Sequence, residues 1–279
     1  MLRRSLGGFP HLLTHQVPRL AGGVAREAAW TTAHLMMYPL GLLAEPVRRT
    51  VGRHDLGGLS PQQRGLVHAG VDAAARPILL VHGIVDNHSI FAVMDRALRR
   101  RGFTDLSSFD YGLLTSDIRR AAADLEVAVS ALVSRSGYDR IHVIGHSLGG
   151  LIARYYVQRL GGHPQVQTLV TLGTPHQGTE LARAGRILPL VRQLTPQSDV
   201  IRELAEPAPE CSTRFVAFYS DLDQLVRPSR NGRIDHPDLD TRNVAVSGLG
   251  HLSLPNSGAI AFQIAEVLQQ LDPDEVAPA

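Results

Sequence analysis

Ile141-His142-Val143-Ile144-Gly145-His146-Ser147-Leu148-Gly149-Gly150 is the stretch whose reading decides the fold. Apolar, β-branched residues run into Gly145, and an amphipathic run from Leu148 to Leu160 follows. The pattern predicts a buried strand, a sharp turn and a helix, with a serine at the turn. Gly-x-Ser-x-Gly in this context places a serine hydroxyl clear of the sheet, with glycines where a Cβ would strike the neighbouring backbone. A Gly-rich turn of purely structural meaning is the competing reading, and the flanking strand and helix argue against it.

Reading outward, the same alternation recurs. Ile78-Leu79-Leu80-Val81 is a short, fully apolar run of the kind that forms a parallel strand buried on both faces. Ser89 to Arg101 carries a helical stripe at Ile90, Val93, Met94, Ala97 and Leu98. Leu106 to Tyr111 predicts a second strand. Ser116 or Asp117 caps the next helix, whose face is Ile118, Ala121, Ala122, Leu125, Val129 and Leu132 and which Gly137 ends. Thr168–Leu172, Phe215–Tyr219 and Asn243–Val246 predict further strands, and Asn256–Leu271 a closing helix. Residues 180–210 break the alternation with two short helical patterns split by Pro189 and Pro196. The expected fold is α/β: one mostly parallel sheet with helices on both faces over residues 77–272, a small cap at about 180–210, a helical N-terminal extension over 1–76 and a frayed tail over 273–279.

Composition narrows the partners. The single cysteine, Cys211, leaves no intrachain disulfide and no cysteine-based metal site. All 28 basic residues are arginine, which reads as genomic drift rather than function. Residues 1–54 hold seven arginines against two glutamates, a net of +5 that leaves −3 for the rest of a chain totalling +2. Ala28 to Ala44 is uncharged but short of the roughly 20 residues of a membrane span, and Pro39 interrupts it. It predicts an interfacial helix on an anionic membrane, or a helix packed on the main domain with a solvated basic face. The run starts late for a secretory signal, so the expected location is cytoplasmic or peripherally membrane-associated. Scattered arginines without interleaved aromatics give no support to nucleic-acid binding.

A serine hydroxyl needs a base, and the base needs an orienting acid. With the serine on a strand-to-helix turn, the expected chain order is Ser, acid, His. Of thirteen histidines, His251 stands where a late loop reaches back over the serine, just after a strand and Gly248-Leu249-Gly250. His176, at another strand end, is its rival. His82 reads as a loop holder and His146 as packing beside the nucleophile, while His163 and His236 lie in ordinary turns. Asp221 and Asp223 both follow the strand ending at Tyr219; Gln224-Leu225-Val226 would seat Asp223, which is favoured. Leu148 N–H and, from the His82-Gly83-Ile84 loop, Ile84 N–H are the expected oxyanion donors. Asp235-His236-Pro237-Asp238-Leu239-Asp240 is a solvated acidic loop or, less simply, a calcium loop; no metal and no cofactor is expected.

Val81-His82-Gly83-Ile84, Gly145-His146-Ser147-Leu148-Gly149-Gly150, Gly173-Thr174-Pro175-His176-Gln177-Gly178-Thr179, Asp223-Gln224-Leu225-Val226 and Gly248-Leu249-Gly250-His251-Leu252 together resemble the α/β-hydrolase lipase/esterase family, with bacterial triacylglycerol lipases and actinobacterial esterases as the nearest type. The resemblance spans about residues 77–271. It implies a Ser147, Asp223 and His251 triad, oxyanion donors at Ile84 and Leu148, a cap formed by residues 180–210, and a lipid or other acyl-ester substrate. An acyltransferase would use the same residues with an alcohol in place of water. A non-catalytic binding protein on this fold would be expected to lack a triad member.

Overall fold

The computed structural model describes residues 75–84, 88–111, 116–185 and 187–269. The N-terminal extension and the tail expected from sequence lie outside the described residues. Six strands form one parallel sheet in the order β2-β1-β3-β4-β5-β6: β1 Ile78–Val81, β2 Leu106–Phe109, β3 Ile141–His146, β4 Val166–Leu172, β5 Arg214–Ser220 and β6 Asp240–Val246. The helices are α1 Ala92–Arg99, α2 Ile118–Ser136, α3 Leu148–Arg159, α4 Pro189–Gln193, α5 Asp199–Glu203 and α6 Gly258–Gln269.

Strand alternation divides the core in two. Leu79, Val81, Val143, Leu169, Phe215 and Ala217 face one layer, filled by α2 and α3. Their neighbours Ile78, Leu80, Ile144, Val170, Val216 and Phe218 face the other, filled by α1 and α6. Successive side chains point to opposite faces, so a strand covered on both sides must be apolar throughout. The first layer reads Ile118, Ala121, Ala122, Leu125, Val129 and Leu132 on α2, as the periodicity predicts. Asp117 caps that helix by accepting from Arg119 N–H at 2.7 Å, and Gly137 ends it in the left-handed region.

The boundaries differ from the sequence reading where side chains carry no period. β4 and β6 start two and three residues earlier than expected, and β2 stops at Phe109 rather than Tyr111. Residues 88–91 form a 3₁₀ turn before α1. Pro189 opens α4 instead of splitting a helix, because a proline is well accommodated in the first helical turn.

The segment 180–210 is tied to the body along its length, with Gln193 accepting from Ile118 N–H and donating to the Ser116 carbonyl, each at 2.9 Å. Glu203 accepts from Arg119 and from Tyr155 Oη at 2.7 Å. The Leu204 carbonyl, at the end of α5, accepts from Arg154 and Gln158 of α3, each at 3.0 Å. Arg159 holds the Glu206 and Pro207 carbonyls. Arg154 is fully buried; its contacts are to neutral oxygens, those of Gln158, His176 and Leu204. Burial, with help from Arg159, lowers its guanidinium to about 10. Ala182, Leu190 and Leu194 are buried in the first core layer, whereas Leu181, Ile187 and Leu188 are 50%, 95% and 61% exposed.

His142, at the start of β3, is buried and neither ring nitrogen has a hydrogen-bond partner. Burial drives its imidazole from 6.5 to about 3, and Arg76, Arg140 and Arg214 push the same way. A histidine depressed in the folded state contributes fully above its unfolded value, near 6.5, and loses that contribution as pH falls toward 3. The expected loss is about 1.4 kcal/mol per pH unit over that window. Urea unfolding of wild type and His142→Val between pH 7.5 and 5 checks this. The variant should show the shallower fall of stability below pH 6.5, by about one proton's worth.

Candidate active site

The turn at Ser147 is dictated by how closely two backbones meet. A Cβ on Gly145, in β3, would lie 2.6 Å from the Gly150 nitrogen of α3. With this crossing fixed, the chain must reverse within one residue. Ser147 does so at φ 54°, ψ −124°, a region that side-chain-bearing residues rarely occupy and that concentrates at functional sites. Its own N–H is held by the Leu172 carbonyl of β4 at 2.9 Å. Ser147 is the N-cap of α3, so the Leu148 amide stands in the first turn, where amides and helix dipole favour negative charge.

Three further loops meet at this turn, each leaving the carboxyl end of a strand. The loop after β1 brings Gly83 over the serine: a Cβ there would sit 3.1 Å from Ser147 Cβ and 3.3 Å from His146 Nδ1. The loop after β5 supplies Asp223 and the loop after β6 supplies His251. His251 Nδ1 and Asp223 Oδ2 are 2.8 Å apart with both side chains buried. Asp223 Oδ1 accepts from Leu225 N–H and Val226 N–H, each at 2.9 Å. Burial alone would raise the Asp223 carboxyl, but His251 and these two amides outweigh it and hold it below its ordinary value. Asp223 is therefore a buried carboxylate with its charge satisfied, and His251 Nδ1 carries the proton between them.

The loop after β4 lies beneath the pair. Gly173 has φ +55°, and a Cβ there would meet Asp223 Oδ2 at 2.9 Å, Leu254 Cδ1 at 3.0 Å and His251 Nδ1 at 3.1 Å. His146 rests on His251, with ring centroids 4.8 Å apart and His146 Nε2 3.3 Å from the His251 carbonyl. Ser147 follows His146 directly, so the serine and the Asp223–His251 pair share one site.

The alternatives go elsewhere. Asp221 Oδ1 accepts from Gly248 N–H at 3.1 Å and so shapes the turn after β6. His176 is buried, bonds Thr171 Oγ1 at 2.9 Å, and is driven well below its ordinary value by burial and by Arg154. His163 pairs with Ser212, and His236 with Gln158 and the Glu206 carbonyl. The carboxylates of the 235–240 loop are taken up by the protein: Asp235 by Arg233 and Gln177, Asp238 by Ala208 N–H, Asp240 by Arg214. Asp240 belongs to β6 rather than to a loop.

Some contributors carry no signal in the sequence. Gln224 Oε1 accepts from His251 N–H at 3.4 Å, and Ser220 Oγ donates to the Leu249 carbonyl; both tie the acid loop to the histidine loop. His82 was expected only to hold its loop, and the partners it uses, Asp110 and Tyr111, could not be named from spacing.

Both architecture and site geometry are those of an α/β hydrolase, and the alpha/beta hydrolase fold family model matches residues 76–241. The chain belongs to that family. A triacylglycerol lipase of Burkholderia plantarii is 28% identical over 204 residues, covering 69% of this chain and 52% of that protein. A triacylglycerol lipase of Pseudarthrobacter phenanthrenivorans is 27% identical over 198 residues, covering 67% and 56%. The chain thus spans about half the length of these curated relatives. Among solved structures, the mature form of Bacillus licheniformis lipase BlEst2 superposes with a TM-score of 0.59 at 18% identity, over 71% of this chain and 93% of that one. Aspergillus fumigatus lipase B gives 0.61 at 15% identity, over 72% and 54%. These bear out the family and fold read from the motifs.

Gly173→Ala tests the packing beneath the pair. The substitution strains a positive φ and pushes on Asp223 and His251, so stability should fall by about 1–3 kcal/mol. The downfield proton resonance of the His251 Nδ1–H···Asp223 bond should shift or vanish. A variant with both the wild-type melting temperature and that resonance unchanged would contradict the placement of Gly173.

Proposed function

We propose that this protein is a serine carboxylic-ester hydrolase, a lipase or esterase, acting on a hydrophobic acyl ester through an acyl-enzyme on Ser147. The observation that carries the reading is the buried 2.8 Å Asp223–His251 pair beside a serine held in a strained strand-to-helix turn. Ser147 Oγ attacks the ester carbonyl while His251 Nε2 takes its proton; Asp223 fixes the imidazole tautomer and stabilises the imidazolium. The oxyanion that forms is received by Leu148 N–H and Ile84 N–H. His251 returns the proton to the departing alcohol. Water then attacks the acyl-enzyme with His251 again as base, releasing the acid and restoring Ser147.

Two features support a hydrophobic acyl group. The relatives named above are triacylglycerol lipases. Residues 180–210, read as a cap, present Leu181, Ile187 and Leu188 to solvent. Ser147→Ala should lower hydrolysis of p-nitrophenyl butyrate and octanoate by at least about a thousandfold with an unchanged melting temperature. Comparable activity in that variant would overturn the assignment. Product analysis with added glycerol distinguishes hydrolysis from transfer: free acid should dominate.

The net charge of +5 over residues 1–54, beside the uncharged Ala28–Ala44 run, supports a peripheral contact with anionic membranes. The full chain should sediment with phosphatidylglycerol-containing liposomes and release as salt is raised, and a chain lacking residues 1–54 should bind more weakly. Equal binding by the two would remove the role from this segment.

A further inference from the structure

The loop after β1 is braced by a cluster that the acid–base chemistry does not use. His82 is buried, and its two ring nitrogens face two different acceptors. Nδ1 lies 2.9 Å from the Gly83 carbonyl oxygen, and Nε2 lies 3.4 Å from Asp110 Oδ1. A carbonyl can only accept, so Nδ1 donates. Asp110, just past β2, is itself positioned from the other end of the loop. Its Oδ1 accepts from His88 N–H at 3.2 Å, and its Oδ2 faces His88 Nδ1 at 3.3 Å. Tyr111 completes the brace. Its ring stacks on His82 with centroids 4.4 Å apart and planes 16° from parallel, and its hydroxyl donates to the His82 carbonyl at 3.0 Å.

Two consecutive peptide carbonyls, those of His82 and Gly83, are thereby held by side chains. A trans peptide is planar, and its C=O and N–H point in opposite directions. Holding the Gly83 oxygen therefore also aims the Ile84 N–H, because both belong to one rigid unit. Gly83 itself sits over Ser147, at the 3.1 Å Cβ approach given above. Small rotations of this peptide would move the N–H away from the developing oxyanion without moving Ser147, His251 or Asp223.

We infer that His82, braced by Asp110 and Tyr111, is a positioning residue that sets the Gly83–Ile84 peptide plane and so aims the Ile84 N–H at the oxyanion; this rests on the acyl-transfer reading above. His82 takes no proton from the substrate. Its effect is exerted on the tetrahedral state alone, so it belongs to kcat rather than to substrate binding.

His82→Phe keeps a ring to stack on Tyr111 and removes both polar contacts. His82→Asn places an amide N–H close to where Nδ1 stands. Asp110→Asn weakens the brace at Nε2 and leaves Nδ1 in place. For p-nitrophenyl butyrate, His82→Phe should lower kcat by about 10²–10³-fold, the scale of losing one oxyanion donor, with KM within about threefold. His82→Asn should recover most of that loss, and Asp110→Asn should fall between. The second readout is inhibition by an alkyl trifluoromethyl ketone. Ser147 Oγ adds to its carbonyl carbon, the serine proton passes to His251, and the ketone oxygen becomes the oxyanion. Its inhibition constant should rise across the series in proportion to the fall in kcat/KM. A purely structural His82 would lower melting temperature or active fraction without moving kcat per titrated site or this constant. Wild-type kcat in His82→Phe, or a lowered kcat with an unchanged ketone constant, would overturn the inference alone. A wild type that neither hydrolyses the ester nor binds the ketone would overturn the acyl-transfer reading and the inference with it.

Discussion

Where β3 passes into α3, two stretches of backbone cross with no space for a side-chain carbon between them. Gly145 and Gly150 are the residues at that crossing, and the rest of the site depends on their contact. It brings the helix hard against the strand, which forces the reversal at Ser147, which in turn turns the first helical amides toward the space above the sheet. A parallel sheet exposes its carboxyl ends together, so the loops after β1, β4, β5 and β6 converge on the same spot. Chemistry here follows from packing: the strained serine exists because the two apolar layers on either side of the sheet hold strand and helix at that distance.

The division of labour among the loops is also physical. The loop after β5 carries the carboxylate, and it folds back so that Asp223 receives two of its own following amides before it meets His251. That arrangement lets a carboxylate be buried as an anion, which burial alone would oppose. Asp221, two residues earlier, has the same chemistry but stays at the edge, where it organises the turn after β6. The two acids differ by where the backbone turns rather than by type.

The sheet, its helices and the placing of Ser147, Asp223 and His251 just past strand ends were legible because each depends on local pattern. Alternating strand faces, a 3.6-residue stripe and a polar residue just past a strand end are all visible in one dimension. What was illegible depends on pairing across the fold. Nothing in the spacing of Asp110 and Tyr111 ties them to His82, and nothing marks Gln224 as a partner of His251. Likewise, the acidic run at 235–240 reads as a loop until Asp240 is found in register with Arg214 at the edge of the sheet. The strand started early there because hydrogen bonding to β5, not apolar content, defined it. Residues 1–54 stand out in charge, but their relation to the sheet is not one that periodicity reports.

The tethering of residues 180–210 leaves a few aliphatic side chains bare, and this has a consequence for how the protein can change. Its later half is riveted to α2 and α3 through Glu203, the Leu204 carbonyl and the Glu206 carbonyl, with the buried Arg154 among the rivets. Alteration there would disturb the helix that Ser147 caps. Its earlier half is anchored as well, by the buried Ala182, Leu190 and Leu194 and by Gln193, but leaves Leu181, Ile187 and Leu188 as exposed aliphatic side chains. The identity of Leu181, Ile187 and Leu188 can drift at small cost to the sheet. The molecule is thus built so that these exposed aliphatic positions are free to diversify while the sheet and its helices stay intact.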